Sequence, residues 1–271
     1  MLKSLREKIS DRLRRAPVVS VLRLHGAIGM GGLRGGGLND AALAPMVQKA
    51  FAPKRLAAVA LSINSPGGSP TQSALIAARI RRLAEEKEVP VHAFCEDVAA
   101  SGGYWLATAG DDIWADENSI VGSIGVIFAG FGFPKLLKQY GIERRVHTAG
   151  RSKSMLDPFR PEKEEDVERI KSLQEKIHQN FIDQVKGRRG DRLADQDLFT
   201  GDVWVGDQAQ EIGLIDGCAH LVPKMKSVYG DNIRFNVVTQ KRSLFQRLGA
   251  PGVEDFASAI EERALWARYG L

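Results

Sequence analysis

The sequence predicts an α/β protein built from successive βα units. Three observations carry this reading. Short apolar runs of strand length alternate with longer segments of helical periodicity. Glycine pairs follow two of the strand runs. The composition is that of an ordinary globular chain, 44% hydrophobic and 26% charged over 271 residues, which excludes disordered, collagenous and coiled-coil classes. That length allows one or two domains, and no internal repeat suggests an array.

The elements follow in order. Residues 1–16 place Leu2, Leu5, Ile9 and Leu13 at helical spacing among lysines and arginines. This basic amphipathic helix suits either a peripheral contact with an anionic membrane or docking on protein. Pro17 ends it, and 18–24 is a β-rich run entering a glycine cluster at 26–37, read as a loop. Then come a helix over 39–50, a strand over 56–63, a helix over 70–86, a strand over 89–94 and a helix over 101–109. A short strand at 113–115, a helix at 134–140 and a strand at 143–148 precede a long helix at 162–186, whose charges read as a solvated face. Helical pieces at 194–199 and 206–212 and a strand at 233–239 follow. The tail, 252–271, carries Phe256, Ile260, Leu265 and Trp266 on an apolar stripe that needs a partner surface. The expected division is a helix over 1–16, a main domain over 17–240 and a helical tail over 241–271 that serves as an oligomer contact.

Lys and Arg number 38 against 33 Asp and Glu, a net charge of +5, which permits contact with anionic surfaces but gives no reason to expect a nucleic-acid partner. Cys95 and Cys218 form neither a CxxC pair nor a disulfide framework, so no metal site is expected and a reducing compartment fits. The N-terminus lacks the continuous apolar stretch of a signal peptide. The longest uncharged run, 118–134, is too short and glycine-rich for a spanning helix. The expected location is cytoplasmic, or peripheral to the cytoplasmic membrane.

The chemistry concentrates in two turns. Gly67 and Gly68 follow one strand and precede a helix, where backbone N–H groups can point outward without a side chain in the way. One βα unit later Gly102 and Gly103 repeat the pattern, preceded by Ser101, whose hydroxyl sits at the strand-to-helix turn. Each pair alone could serve only a tight turn; together they suggest a shared oxyanion site. A serine hydroxyl needs a base to attack an acyl carbon. His25, His92, His147, His178 and His220 have no catalytic context, whereas Lys153 follows a predicted strand within Gly150-Arg151-Ser152-Lys153-Ser154. A lysine acting as general base needs burial to bring its amine from ~10.4 toward ~7 to 8. The uncharged segment 120–128 could supply that pocket. Val121, Ile124, Val126, Ile127 and Phe128 could also wall a groove for hydrophobic substrate residues, with plain core packing as the other reading.

The runs NSPGG at 64–68, DVAASGGYW at 97–105, VGSIGVI at 121–127, GRSKS at 150–154 and GDVWVGDQAQEIGLID at 201–216 together resemble the signal peptide peptidase A family of serine proteases, over roughly residues 17–240. The resemblance implies the ClpP/crotonase fold of stacked ββα units and a Ser-Lys dyad. It implies Ser101 as nucleophile, Lys153 as general base, Gly67, Gly68 and Gly102 as oxyanion donors, and Ser123 as the group orienting the lysine. Many members begin with a membrane-spanning helix, where this sequence offers only the basic segment. With one copy of the catalytic unit, the resemblance further implies a ring of identical chains in which serine and lysine come from neighbouring protomers. The expected function is therefore a cofactor-free serine endopeptidase acting on hydrophobic peptides such as signal-peptide remnants. A crotonase-type acyl-CoA enzyme and a catalytically silent membrane-associated scaffold are the alternatives. A ClpP-type Ser-His-Asp site is disfavoured because 120–133 contains no histidine.

Overall fold

The structure is a computed structural model and describes residues 16–29, 37–150, 152–239, 260 and 262–271. The predicted helix at 1–16 lies outside these, its last residue excepted, as does the tail up to 259; residues 262–267 are helical.

Eight strands among the described residues form one sheet: β1 (Val18–His25), β2 (Leu56–Ser65), β3 (Val91–Ala100), β4 (Asp112–Ala115), β5 (Ile120–Gly122), β6 (Val203–Val205), β7 (Gly217–Cys218) and β8 (Arg234–Val238). The order is β6-β5-β3-β2-β1-β8, with β4 pairing β3 and β7 off this path. Only the β5–β6 pairing is antiparallel among those described. The helices are α1 (Asp40–Ala50), α2 (Pro70–Lys87), α3 (Gly102–Ala107), α4 (Pro134–Gln139), α5 (Glu164–Arg189), α6 (Gly206–Glu211) and α7 (Leu221–Tyr229).

Strand alternation sorts the core into two layers. Leu22 and Leu24 of β1, Val59, Leu61 and Ile63 of β2, and Val91, Ala93 and Cys95 of β3 share one cluster with α1 and α2. Their alternate neighbours Val19, Val21, Ala58, Ala60 and Phe94 pack against Met225 of α7 on the other face. Burial on both faces explains why these strands read as continuous apolar runs. The helices start where sequence chemistry allows: Asn39 Oδ1 accepts the Ala42 N–H at 2.9 Å, and Ser69 caps α2 just before Pro70.

The strand β3 forks, and the fork positions the site. Its residues 92–95 pair with β4 and its residues 98–100 with β5. Between them the register against β2 slips, from Ile63↔Cys95 to Ser65↔Ala99, so β3 carries two extra residues there. Such a bulge bends the strand and re-aims its end. Asn64 secures it: its Oδ1 accepts the Val98 N–H at 3.3 Å and its Nδ2 donates to Asp97 at 2.5 Å. Beside it the Ser62 hydroxyl donates to Glu96 at 2.5 Å and accepts from His25 Nε2 at 2.8 Å. The His25 and Ser62 hydrogen bonds hold the Glu96 carboxyl below its ordinary range.

Several elements differ from expectation, the unanticipated short strands β5, β6 and β7 among them. The predicted strand at 143–148 forms none, because this stretch is exposed and has no strand beside it; its charges pair locally, Arg145 with Glu143 and Arg144 with Asp157. Residues 194–199 are not helical, since the Asp197 side chain takes the Phe199 N–H and a turn results. The helix α7 was not anticipated; Pro223 falls in its first turn, where a missing N–H costs nothing.

Candidate active site

Ser101 stands where β3 ends and α3 begins, with φ 52° and ψ −122°. Positive φ in a residue other than glycine costs about 1–3 kcal/mol and persists only where the surroundings impose it. Here the Ser101 N–H donates to Gly122 O at 2.8 Å, and its carbonyl accepts the Trp105 N–H at 3.0 Å. Its side chain makes no capping bond to α3, and the half-buried hydroxyl has no partner among the described residues.

The turn after β2 closes against this corner. A Cβ on Gly67 would lie 2.8 Å from Ser101 Cβ and 2.9 Å from Gly102 N, and one on Gly68 would meet Ile28 O at 2.1 Å. With φ of +101° and +139°, neither position accepts a side chain. Of the three predicted donors, Gly68 and Gly102 have N–H groups with no acceptor among the described residues. The Gly67 N–H donates to the buried Ser65 hydroxyl at 3.2 Å.

Ser123 is also at φ 52°, buried, with its N–H on Asp202 O at 2.6 Å. The β3–β5 register ends at Ala100↔Gly122, so Ser101 and Ser123 occupy the next step on adjacent strand ends. The structure brings these two together. Lys153 is elsewhere, on an exposed turn where its N–H meets Gly150 O at 3.1 Å, and its amine has no partner among the described residues. The apolar segment also divides. Val121 and Ile124 are fully buried in the core and cannot line an open groove, whereas Val126 is half-buried and Ile127 and Phe128 are exposed. None of the five histidines hydrogen-bonds Ser101: His92, for instance, lies on the other sheet face between Asp112 and Tyr229. Cys95, earlier in β3, is no rival nucleophile, because burial pushes its thiol up to about 12.

From Ile127 to Phe159 the chain carries apolar side chains into solvent, among them Ile127 (66% exposed), Phe131 (82%) and Tyr140 (68%), and α4 has no buried residue. Residues 128–133 and most of those from Ser154 to Asp166 line a groove of about 720 Å³. This arm, which carries Lys153, was not evident in the sequence as a separate feature.

Sheet order, forked β3 and facing glycine turns define an α/β protein of the ClpP/crotonase-like class. In keeping with that fold, the chain superposes on a membrane-bound stomatin-specific protease in complex with a substrate peptide, with TM-score 0.54 and 14% identity, covering 90% of this chain and 99% of that one. Residues 83–225 match the profile of peptidase family S49, and the chain belongs to that family. A putative signal peptide peptidase SppA of Enterococcus faecium is 34% identical over 164 residues, 60% of this chain and 47% of that protein. A Brucella melitensis protein named Na(+)/H(+) antiporter NhaA is 50% identical over 273 residues, 93% of this chain but 37% of that protein. The chain thus spans less than half the length of these curated relatives. No helix among the described residues is long and apolar enough to cross a membrane.

Proposed function

We propose that the chain is a serine endopeptidase that cleaves hydrophobic peptides, such as signal-peptide remnants, through an acyl-enzyme on Ser101. The observation that carries the reading is the strained, non-glycine backbone of Ser101 at the end of β3, facing the glycine turn after β2. Ser101 Oγ attacks the scissile carbonyl while its proton passes to the neutral Lys153 amine. The N–H groups of Gly68 and Gly102 stabilise the oxyanion, and the protonated lysine returns its proton to the leaving amine. Water then hydrolyses the ester by the same route. Ser123, beside Ser101, orients the lysine amine.

Lys153 reaches a serine in this reading by crossing to a neighbour. Its exposed turn lies on the apolar arm, and an exposed apolar surface of this extent marks a protein contact. The reading is therefore a homo-oligomeric ring, each site joining Ser101 of one protomer to Lys153 of the next.

The test of the nucleophile is labelling by a fluorophosphonate serine probe. Label is expected on Ser101, absent from Ser101→Ala, and slowed by an excess of a leucine- and alanine-rich peptide but not of a lysine-rich one. Label elsewhere, or competition by the charged peptide alone, would refute the reading. Residues 1–16 are assigned a peripheral contact with anionic lipid. Co-sedimentation with anionic liposomes should fall with salt and with removal of these residues; equal binding without them would end that assignment.

A further inference from the structure

The helix α5 meets the core through Phe181 and Val185, and Phe181 stacks on Trp105 of α3 with ring centroids 4.8 Å apart. Counting back along the same face, the next positions are His178 and Gln174. Polar side chains on a core-facing stripe need partners, and both find them in the strand end beside Ser101. His178 Nε2–H donates to the Ile124 carbonyl at 3.0 Å; Gln174 Nε2 makes a longer contact, 3.5 Å, to Val126 O. Between this helix and the 201–202 turn the segment is held from two sides, since Ser123 N–H is bonded to Asp202 O and Gly125 packs on Gly201. The strained φ of Ser123 lies between the two anchors.

We propose that His178 is a positioning residue for peptide turnover: by holding the Ile124 carbonyl it fixes the backbone from Ile124 to Val126, which runs on from the strand end that borders Ser101. It does not touch the reacting atoms. An extended peptide has to be aligned over this stretch of backbone, whereas a small phosphonate needs only Ser101, its base and the oxyanion donors, none of which His178 holds. The proposal rests on the reading of Ser101 as nucleophile.

The experiment uses the full chain with His178→Leu and His178→Gln, the first removing the donor and the second supplying an amide N–H of similar reach. Each is assayed for hydrolysis of a hydrophobic peptide and for the rate of fluorophosphonate labelling. His178→Leu should lose about tenfold in kcat/KM, mostly through KM, the loss expected from one backbone hydrogen bond, and His178→Gln should stay within about threefold of wild type. Labelling rates should be the same in all three. Where His178→Leu does not fold, His178→Asn, whose amide is one methylene too short, takes its place with the same expected split. Equal turnover by the Leu and Gln variants, or labelling that falls in step with turnover, would overturn the positioning role. An unlabelled wild-type chain would instead refute the assignment of Ser101, so the two failures are distinct.

Discussion

Ser101→Ala and Lys153→Met chains, each inactive alone, are expected to regain peptide hydrolysis when mixed. Losing either member of a nucleophile and base pair should lower kcat by about 10⁴-fold or more, because the two act as one unit. Lys153 sits on an exposed turn of an arm whose Ile127, Phe131 and Tyr140 are largely in solvent, while Ser101 sits in the body of the fold. If the arm docks on the next protomer, a boundary works when its serine comes from a Lys153→Met chain and its lysine from a Ser101→Ala chain. In an equal, freely exchanging mixture that is one boundary in four, so recovery should approach about a quarter of the wild-type rate in a closed ring of identical contacts. A dyad within one chain cannot be repaired by mixing. No recovery despite exchange demonstrated by mass-labelled subunits would therefore place both residues in one protomer. Replacing Phe131 by serine should abolish the recovery together with the oligomer, since it removes the most exposed aromatic group of the arm without touching the body.

The parts of this architecture that were legible are those where chain chemistry is local. Leu61 and Ile63 announce a buried strand, Gly67 and Gly68 its sharp exit, and Ser69-Pro70 the cap of the next helix. Ser101 could be singled out because its turn repeats that of Gly67 one unit later. What escaped depends on distant partners. The bulge at Glu96 and Asp97 exists because Asn64, on another strand, takes up the Val98 N–H, and no run of apolar residues encodes that. The predicted strand at 143–148 failed because strand formation requires a neighbour and none lies beside it. Val121 and Ile124 were placed in a groove because an apolar residue reads alike in a groove wall and in a core. His178 looked like part of a solvated helix face. Its spacing from Phe181 and Val185 was the available signal that it faces inward.

Asp216→Ala is expected to destabilise the fold by roughly 3–5 kcal/mol at neutral pH, the cost of leaving a buried charge unpaired. That charge is Arg189, 2% exposed, whose Nη1 meets Asp216 Oδ2 at 2.7 Å and whose Nε donates to Gly213 O at 2.8 Å. Nη2 has no acceptor among the described residues, so the guanidinium has little else to compensate it. Asp216 also accepts the Ile113 N–H at 2.7 Å and a bond from Arg192 at 3.1 Å, tying the end of α5 to the start of β4. For a chain of this size the loss corresponds to a fall in Tm of roughly 6–20 °C. The converse change, Arg189→Met, should cost less, because Asp216 keeps the Ile113 N–H and Arg192. The pH dependence separates the ion pair from simple packing. Burial alone would raise the Asp216 pKa, but the Arg189 hydrogen bond, the Ile113 N–H and Arg192 outweigh it and hold the carboxyl below its ordinary value. A folded-state pKa below the unfolded one stabilises the native chain above about pH 4, and that contribution is lost as pH falls through the folded value. Wild type should therefore lose stability on acidification more steeply than Asp216→Asn, which has no carboxyl to protonate, and the gap between them should narrow from pH 7 to pH 3. Asp40, held low by its hydrogen bonds to Arg79, titrates in both chains and drops out of the difference. Urea unfolding of the two proteins across that range measures it, and a gap that stayed constant would mean that Asp216 stabilises by shape and not by charge.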